Sequence, residues 1–404
     1  MPAESATRSF DVVLYGATGF TGRQAAATFA ERVDDRLSWA VAGRDEVRLR
    51  AVRDELGPGG AGAGVVVADA LDAEAVDRMV ADARVVLSTA GPYAKYGANV
   101  VASCARHGTH YVDITGETPW IRAMIDAHHE AARASGTRIV PGCGYDSVPS
   151  DLSAWFLARQ LQERGTGAAQ LECVFLGKGG VNGGTVASLM NQLEDRAQLR
   201  RLLDPRLLNP PAHRAVRRGE VDPTRARWHE GLKRWVAPFF MGPVNTRVVR
   251  RSVALAHDAG EAYGTDPVYQ EWMRAGSRAQ ALAFAGGLWA MPRVLASRRV
   301  RRLVGRFLPD PGEGPSEQAM DEGFVSVALF GRGEDGTELR GRFSSPGDPG
   351  NRVTVALVTE CALALAEDLH ELPDRGGVIT PAFAFGEVLA RRVRARGMTL
   401  ELSR

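Results

Sequence analysis

Short apolar runs alternate with amphipathic stretches over the first third of the chain. Asp11-Val12-Val13-Leu14-Tyr15 predicts a strand, and Arg23 to Phe29 carries helical spacing after a glycine-rich turn. Leu37-Ser38-Trp39-Ala40-Val41-Ala42 predicts a second strand, Asp45 to Leu56 a charged helix, and Val65-Val66-Val67-Ala68 a third strand. A helix near Ala73–Ala81 leads to a fourth strand, Val85-Val86-Leu87-Ser88. Tyr111-Val112-Asp113 and Arg138-Ile139-Val140 add two more. Apolar runs separated by helices imply parallel strands with right-handed crossovers, hence a doubly wound α/β domain over residues 1–145.

The pattern then changes. Gln170 to Leu176, Phe324 to Phe330 and Thr337 to Phe343 read as long strands, the last two forming a hairpin across Gly331–Gly336. Val353 to Leu369 predicts a mostly buried helix. These elements predict an α+β second domain over residues 146–378. Residues 379–404 predict a helix and a short strand able to fold back onto the first domain.

A chain of 404 residues fits two domains and needs no staples to bury a core. The formal net charge of +2 gives no drive toward nucleic acid. Only Lys95, Lys178 and Lys233 are lysines. Cys104, Cys143, Cys173 and Cys361 lie far apart with no CxxC pair, so neither a metal site nor a redox dithiol is expected. The polar start and the lack of a long apolar run predict a cytoplasmic protein, with room for a peripheral membrane contact.

The turn Gly16-Ala17-Thr18-Gly19-Phe20-Thr21-Gly22 lies between the first strand and the first helix. Glycines there permit a sharp turn and close approach to a pyrophosphate, which the helix N-terminus attracts. This makes the first domain a candidate dinucleotide-binding Rossmann domain. An acidic residue would close the second strand in an NAD-selective fold. Arg44 stands there instead, and its fork suits a 2′-phosphate, so NADPH is expected. A solvated arginine at a helix start is the alternative. Asp69 could meet the adenine amine or cap the next helix. Thr89-Ala90-Gly91-Pro92 should lie against the nicotinamide ribose.

Pro141 to Asp151 lies where the domains should meet. Cys143 and Gly144 allow close backbone approach to a cofactor ring, although Cys143 also reads as a small buried thiol. Main-chain N–H groups at 142–144 could form an oxyanion hole. Tyr145, Tyr93 and Asp146 are the candidate catalytic groups, the tyrosines as proton donors. Ser150 or Asp151 could cap the helix that follows. No tyrosine has a lysine four residues later, so the dyad of short-chain dehydrogenases is missing.

Several stretches together, GATGFTG at 16–22, AGR at 42–44, TAGPY at 89–93, HYVDITGE at 110–117, PGCGYDSVPSDL at 141–152 and GGTVASL at 183–189, resemble the saccharopine dehydrogenase-like oxidoreductases. They are most similar to the actinobacterial branch that holds trans-acting enoyl reductases. The resemblance implies an NADPH-binding domain carrying Gly16, Thr18, Gly19, Phe20, Gly22 and Arg44 on the cofactor. It also implies hydride transfer to an α,β-unsaturated acyl thioester, carried by a partner protein, in polyketide or lipid assembly. An imine or carbonyl reductase of a small metabolite is the second expectation, and a nucleotide-bound, lipid-associated protein without catalysis the third.

No acidic residue lies between Glu271 and Asp310. An apolar run, Ala281 to Met291, precedes Arg293, Arg298, Arg299, Arg301, Arg302 and Arg306. This stretch could dock an acidic carrier protein or an anionic membrane surface; a core helix followed by a solvated one is the alternative. A homodimer is left open.

Overall fold

A computed structural model describes residues 8–33, 36–180, 182–194, 201–216, 219–295, 299–300 and 312–403. The first sheet holds β1 (Phe10–Tyr15), β2 (Trp39–Gly43), β3 (Gly64–Val67), β4 (Ala83–Ser88), β5 (His110–Asp113) and β6 (Arg138–Val140). The second holds β7 (Ala168–Lys178), β8 (Arg227–His229), β9 (Arg234–Pro238), β10 (Val268–Arg274), β11 (Phe324–Gly333) and β12 (Glu338–Pro346). Two late strands complete them: β13 (Gly377–Val378) and β14 (Thr399–Leu402).

The first sheet runs β13-β6-β5-β4-β1-β2-β3 and is parallel throughout. Its order reverses beside β1, the topological switch point where ligands bind in such sheets. Side chains alternate between the faces. Val12 and Leu14 pack with Phe29, Leu49 and Leu357 on one side. Val13 and Tyr15 pack with Val80, Val100 and Trp120 on the other. Both faces are covered, which is why these strands read as continuous apolar runs.

The helix Thr354–Glu367 corrects the expected division of the chain. It was expected in the second domain, but it covers β4 and β5 and lies against the first helix, Phe20–Arg32. The first two helices cover this face at β1 to β3, through Phe29 and Leu49, and this late helix covers it at β4 and β5. β13 then joins β6 edge to edge, with Gly377 beside Arg138. Fully buried Glu360 fastens the arrangement, 3.1 Å from Arg32 and 3.0 Å from Arg392.

The second sheet runs β14-β12-β11-β7-β10-β9-β8, with β7 and β10 parallel and the other pairs antiparallel. The expected β11–β12 hairpin is present. β8, β9 and β10 were not expected. The C-terminal strand also departs from expectation: β14 pairs with β12 in this sheet and does not return to the first. Helices Val148–Gln162 and Pro381–Ala395 pack on the sheet's inner face, and one apolar cluster runs unbroken into the first domain.

Asp151 ties these layers. It is fully buried, accepts a hydrogen bond from the Ser252 hydroxyl, and takes the Ala382 N–H at 2.7 Å. It therefore caps the helix Pro381–Ala395, whereas the sequence suggested the helix in which it sits.

Candidate active site at the switch point

The chain leaves β1 through Gly16 at φ +89°, a conformation that side chains rarely adopt. A Cβ at Gly16 would come within 2.8 Å of the Ala90 nitrogen, and one at Gly22 within 2.1 Å of the Gly16 carbonyl oxygen. The Thr89 hydroxyl donates to the Tyr15 and Gly16 carbonyls, both at 3.2 Å, which locks the turn onto the end of β4. The first helix then begins at Phe20 with no side-chain cap and no acid in its first turn. Its free N–H groups suit a diphosphate.

At the end of β2, Arg44 is exposed and has no hydrogen bond or ion pair among the described residues. Asp45 does not neutralise it but caps the next helix through the Arg48 N–H. Arg48 and Arg23 both reach the Thr18 carbonyl, at 3.3 and 3.4 Å. Sequence reasoning missed these two arginines. Exposed Asp69 accepts the Leu71 N–H at 2.9 Å. The glycine cradle, open helix and unpaired guanidinium fit a phosphorylated dinucleotide.

At the opposite end lie Thr89, Ala90 and a cis Gly91–Pro92 bond. Tyr93 follows but is no candidate donor. It is buried, and its hydroxyl donates to the Ser88 carbonyl at 3.0 Å and accepts from the Ile114 N–H at 3.4 Å. Sequence reasoning also missed Glu117. Its buried carboxylate accepts the Tyr93 and Ala94 N–H groups and the Ser188 hydroxyl, each at 2.9 Å. Ser188 sits on the helix Gly183–Glu194, which the second domain extends over Gly91. Asn182 holds the start of that helix by accepting the Thr185 N–H at 3.0 Å.

The 141–147 loop behaves differently from expectation. The Gly142 N–H donates to the Asp113 carboxylate at 2.8 Å, and the Cys143 N–H to the Asp113 carbonyl at 2.6 Å. The Tyr145 N–H donates to Thr354 at 3.2 Å. Two of the three N–H groups expected to form an oxyanion hole, those of Gly142 and Cys143, are thereby taken up inside the fold. Cys143 has no exposed surface, and its thiol donates to the Val140 carbonyl. Burial pushes the thiol well above its ordinary range, so it is an inert core group. Gly144 is buried against Thr354 and Ile114.

Tyr145 and Asp146 stand where the loop meets the second domain. The Tyr145 ring meets Phe175 edge-on, with centroids 6.3 Å apart. Its hydroxyl has no hydrogen bond among the described residues, and burial and the Glu271 and Asp146 charges hold it protonated. Asp146 is partly exposed beside Gly116 and has no hydrogen bond or ion pair among the described residues. Burial raises its carboxyl to about 6.

Residues 12–140 match the saccharopine dehydrogenase NADP-binding domain. A relative from Mycobacterium tuberculosis is 40% identical over 415 residues, spanning 98% of both chains. The trans-acting enoyl reductase of Mycobacterium ulcerans is 37% identical over 426 residues, spanning 99% of both. The chain belongs to the trans-acting enoyl reductase family. Apo saccharopine dehydrogenase from Saccharomyces cerevisiae shares the fold, with a TM-score of 0.54 over 98% of this chain and 99% of that one, at 14% identity. This member of the enoyl reductase family is an NADPH-dependent oxidoreductase built on a Rossmann domain and a second, mixed-sheet domain.

The basic stretch is only partly visible. The helix Arg278–Leu295 includes Arg293, and Arg299 is exposed. Arg298, Arg301, Arg302 and Arg306 lie outside the described residues. Leu282, Phe284, Trp289, Met291 and Val294 are exposed on the helix, and no described helix is long and apolar enough to cross a membrane.

Proposed function

We propose that this protein reduces the carbon–carbon double bond of an α,β-unsaturated acyl thioester delivered by a carrier protein. Similarity to trans-acting enoyl reductases along the whole chain supports the reaction. NADPH, when bound, supplies the hydride that the β-carbon receives. Asp146 carries the balancing proton to the α-carbon, and the Tyr145 hydroxyl donates a hydrogen bond to the thioester oxygen as charge develops there. The observation that carries this assignment is the Asp146 carboxyl, without a hydrogen bond or ion pair among the described residues and raised to about 6, beside Gly116 and Val244. Partial exposure lets solvent return its proton.

The exposed apolar helix and the arginines after it are the proposed docking face for an acidic carrier. Leu282, Phe284, Met291 and Val294 are exposed on it, and Arg299 is exposed after it.

NADPH oxidation against a panel of enoyl thioesters and imines, with products weighed by mass spectrometry, tests the reading. An enoyl substrate should gain two mass units. Asp146→Asn should lower kcat by about 100-fold or more while NADPH affinity holds, and Arg299→Glu should raise KM for carrier-bound substrate alone. Unchanged turnover in Asp146→Asn removes it as donor, and turnover of imines alone removes enoyl reduction.

A further inference from the structure

A second cluster of chemistry-bearing side chains lies outside the cleft, where the second domain is fastened to the first. Leu207 and Leu208 pack into the apolar cluster on the outer face of the first sheet. Arg122 of that domain donates to the Asn209 carbonyl at 3.1 Å. From the helix Gly242–Asp258, buried Arg250 and Arg251 donate to the Pro205 and Leu208 carbonyls. The segment then reaches His213, which meets the end of the same helix.

There His213 Nε2 lies 2.7 Å from an Asp258 carboxylate oxygen, and His257 Nδ1 lies 3.5 Å from that oxygen. The ligand atoms of all three residues fall within 4.8 Å of one another. Zinc bonds of about 2.0–2.2 Å in a tetrahedron place ligand atoms roughly 3.3 Å apart. The observed separations bracket that value, so small side-chain rotations suffice. An independent observation points to the same place. The Asn209 side chain lines the pocket that His213 and His257 share, and its side-chain oxygen is buried with no hydrogen-bond partner among the described residues. The arginines around the pocket do not oppose a cation directly: Arg206 is engaged by Glu220 and Arg250 by Asp222.

We propose that His213, His257 and Asp258 form a zinc(II) site that clamps the 204–216 segment to the helix Gly242–Asp258. Two imidazoles and a carboxylate leave the fourth position to water, for which Asn209 is the available buried acceptor. Magnesium is the wrong guest, because it demands a larger set of oxygen ligands. The site lies apart from the switch point and takes no part in hydride transfer. Its effect is to hold the folded state, since a metal that binds only the folded chain stabilises it.

The test uses the full chain without a polyhistidine tag, stripped with a chelator and titrated with zinc sulfate. One zinc per chain should bind and raise Tm, with magnesium sulfate giving no shift. His213→Ala and His257→Ala should each weaken zinc binding at least tenfold and remove the Tm rise, while NADPH affinity shows that the variants are folded. Asp258→Asn, nearly equal in shape, should do the same and serves if an alanine variant fails to fold. No stoichiometric uptake by the wild-type chain, or uptake that survives the double histidine substitution, overturns the site.

Discussion

Arg44 stands at the end of β2 with its guanidinium unpaired among the described residues, while Arg48 and Arg23 lean on the turn beside it. A charge-assisted hydrogen bond is worth about 1.5–3 kcal/mol, or roughly 10–100-fold in affinity. Arg44→Glu should therefore raise KM for NADPH at least about tenfold and leave NADH little affected. Steady-state kinetics with both cofactors checks this, and equal loss for both would dissociate Arg44 from the 2′-phosphate. The cradle was legible because glycine spacing between a strand and a helix has few other causes. Arg48 was not, since a charged helix start looks like any solvated face. Tyr93 misled for another reason: its hydroxyl partners, Ser88 and Ile114, come from separate strand ends that only the fold brings together.

Among the described residues, the helix Gly183–Glu194 reaches the loop at Glu117 through the Ser188 hydroxyl, which donates to the Glu117 carboxylate. Glu117 also holds the two N–H groups that follow Pro92, so this carboxylate couples the second domain to the loop proposed to meet the nicotinamide. Ser188→Ala should raise KM for NADPH and for the acyl substrate about 3–10-fold, the effect of losing roughly 0.5–1.5 kcal/mol. Tm should barely move and Ser188→Thr should restore binding; unaltered KM values in Ser188→Ala would show that the contact is idle. Among elements, β1 to β6 were readable because both faces of a parallel sheet demand apolar runs. The helix Gly242–Asp258 was not, because it buries Arg247, Arg250 and Arg251, which a sequence presents as solvent-facing. β10 hid likewise behind fully enclosed Glu271, which accepts from Tyr269 at 2.7 Å and Asn245 at 3.0 Å.

Across the whole molecule, burial raises Asp113, Asp151 and Glu271 each to about 7. An unfolded chain releases those protons near pH 4. Between the two values the folded state binds protons that the unfolded chain has lost, so stability falls as pH rises through 7. His110, lowered to about 3 by burial, acts in the opposite sense, but only below about pH 6.5. From pH 6.5 to 8 the urea midpoint should decline and then level off, because the unfolding free energy falls by up to about 1.4 kcal/mol per pH unit for each proton the folded state alone still holds. Asp151→Asn should make the decline shallower. A midpoint that climbs over this range would contradict the raised carboxyls.

The path of the chain decides when the nucleotide pocket can exist. The layer behind β4 and β5 is supplied by Thr354–Glu367, and the sheet's last strand by Gly377–Val378. A ribosome that has released only the amino-terminal third has therefore made a sheet whose oily side is still open behind β4 and β5. Such a fragment, cut out as a minimal cofactor module, would clump instead of binding dinucleotide, and in the cell that nascent surface needs shelter until the final helices emerge.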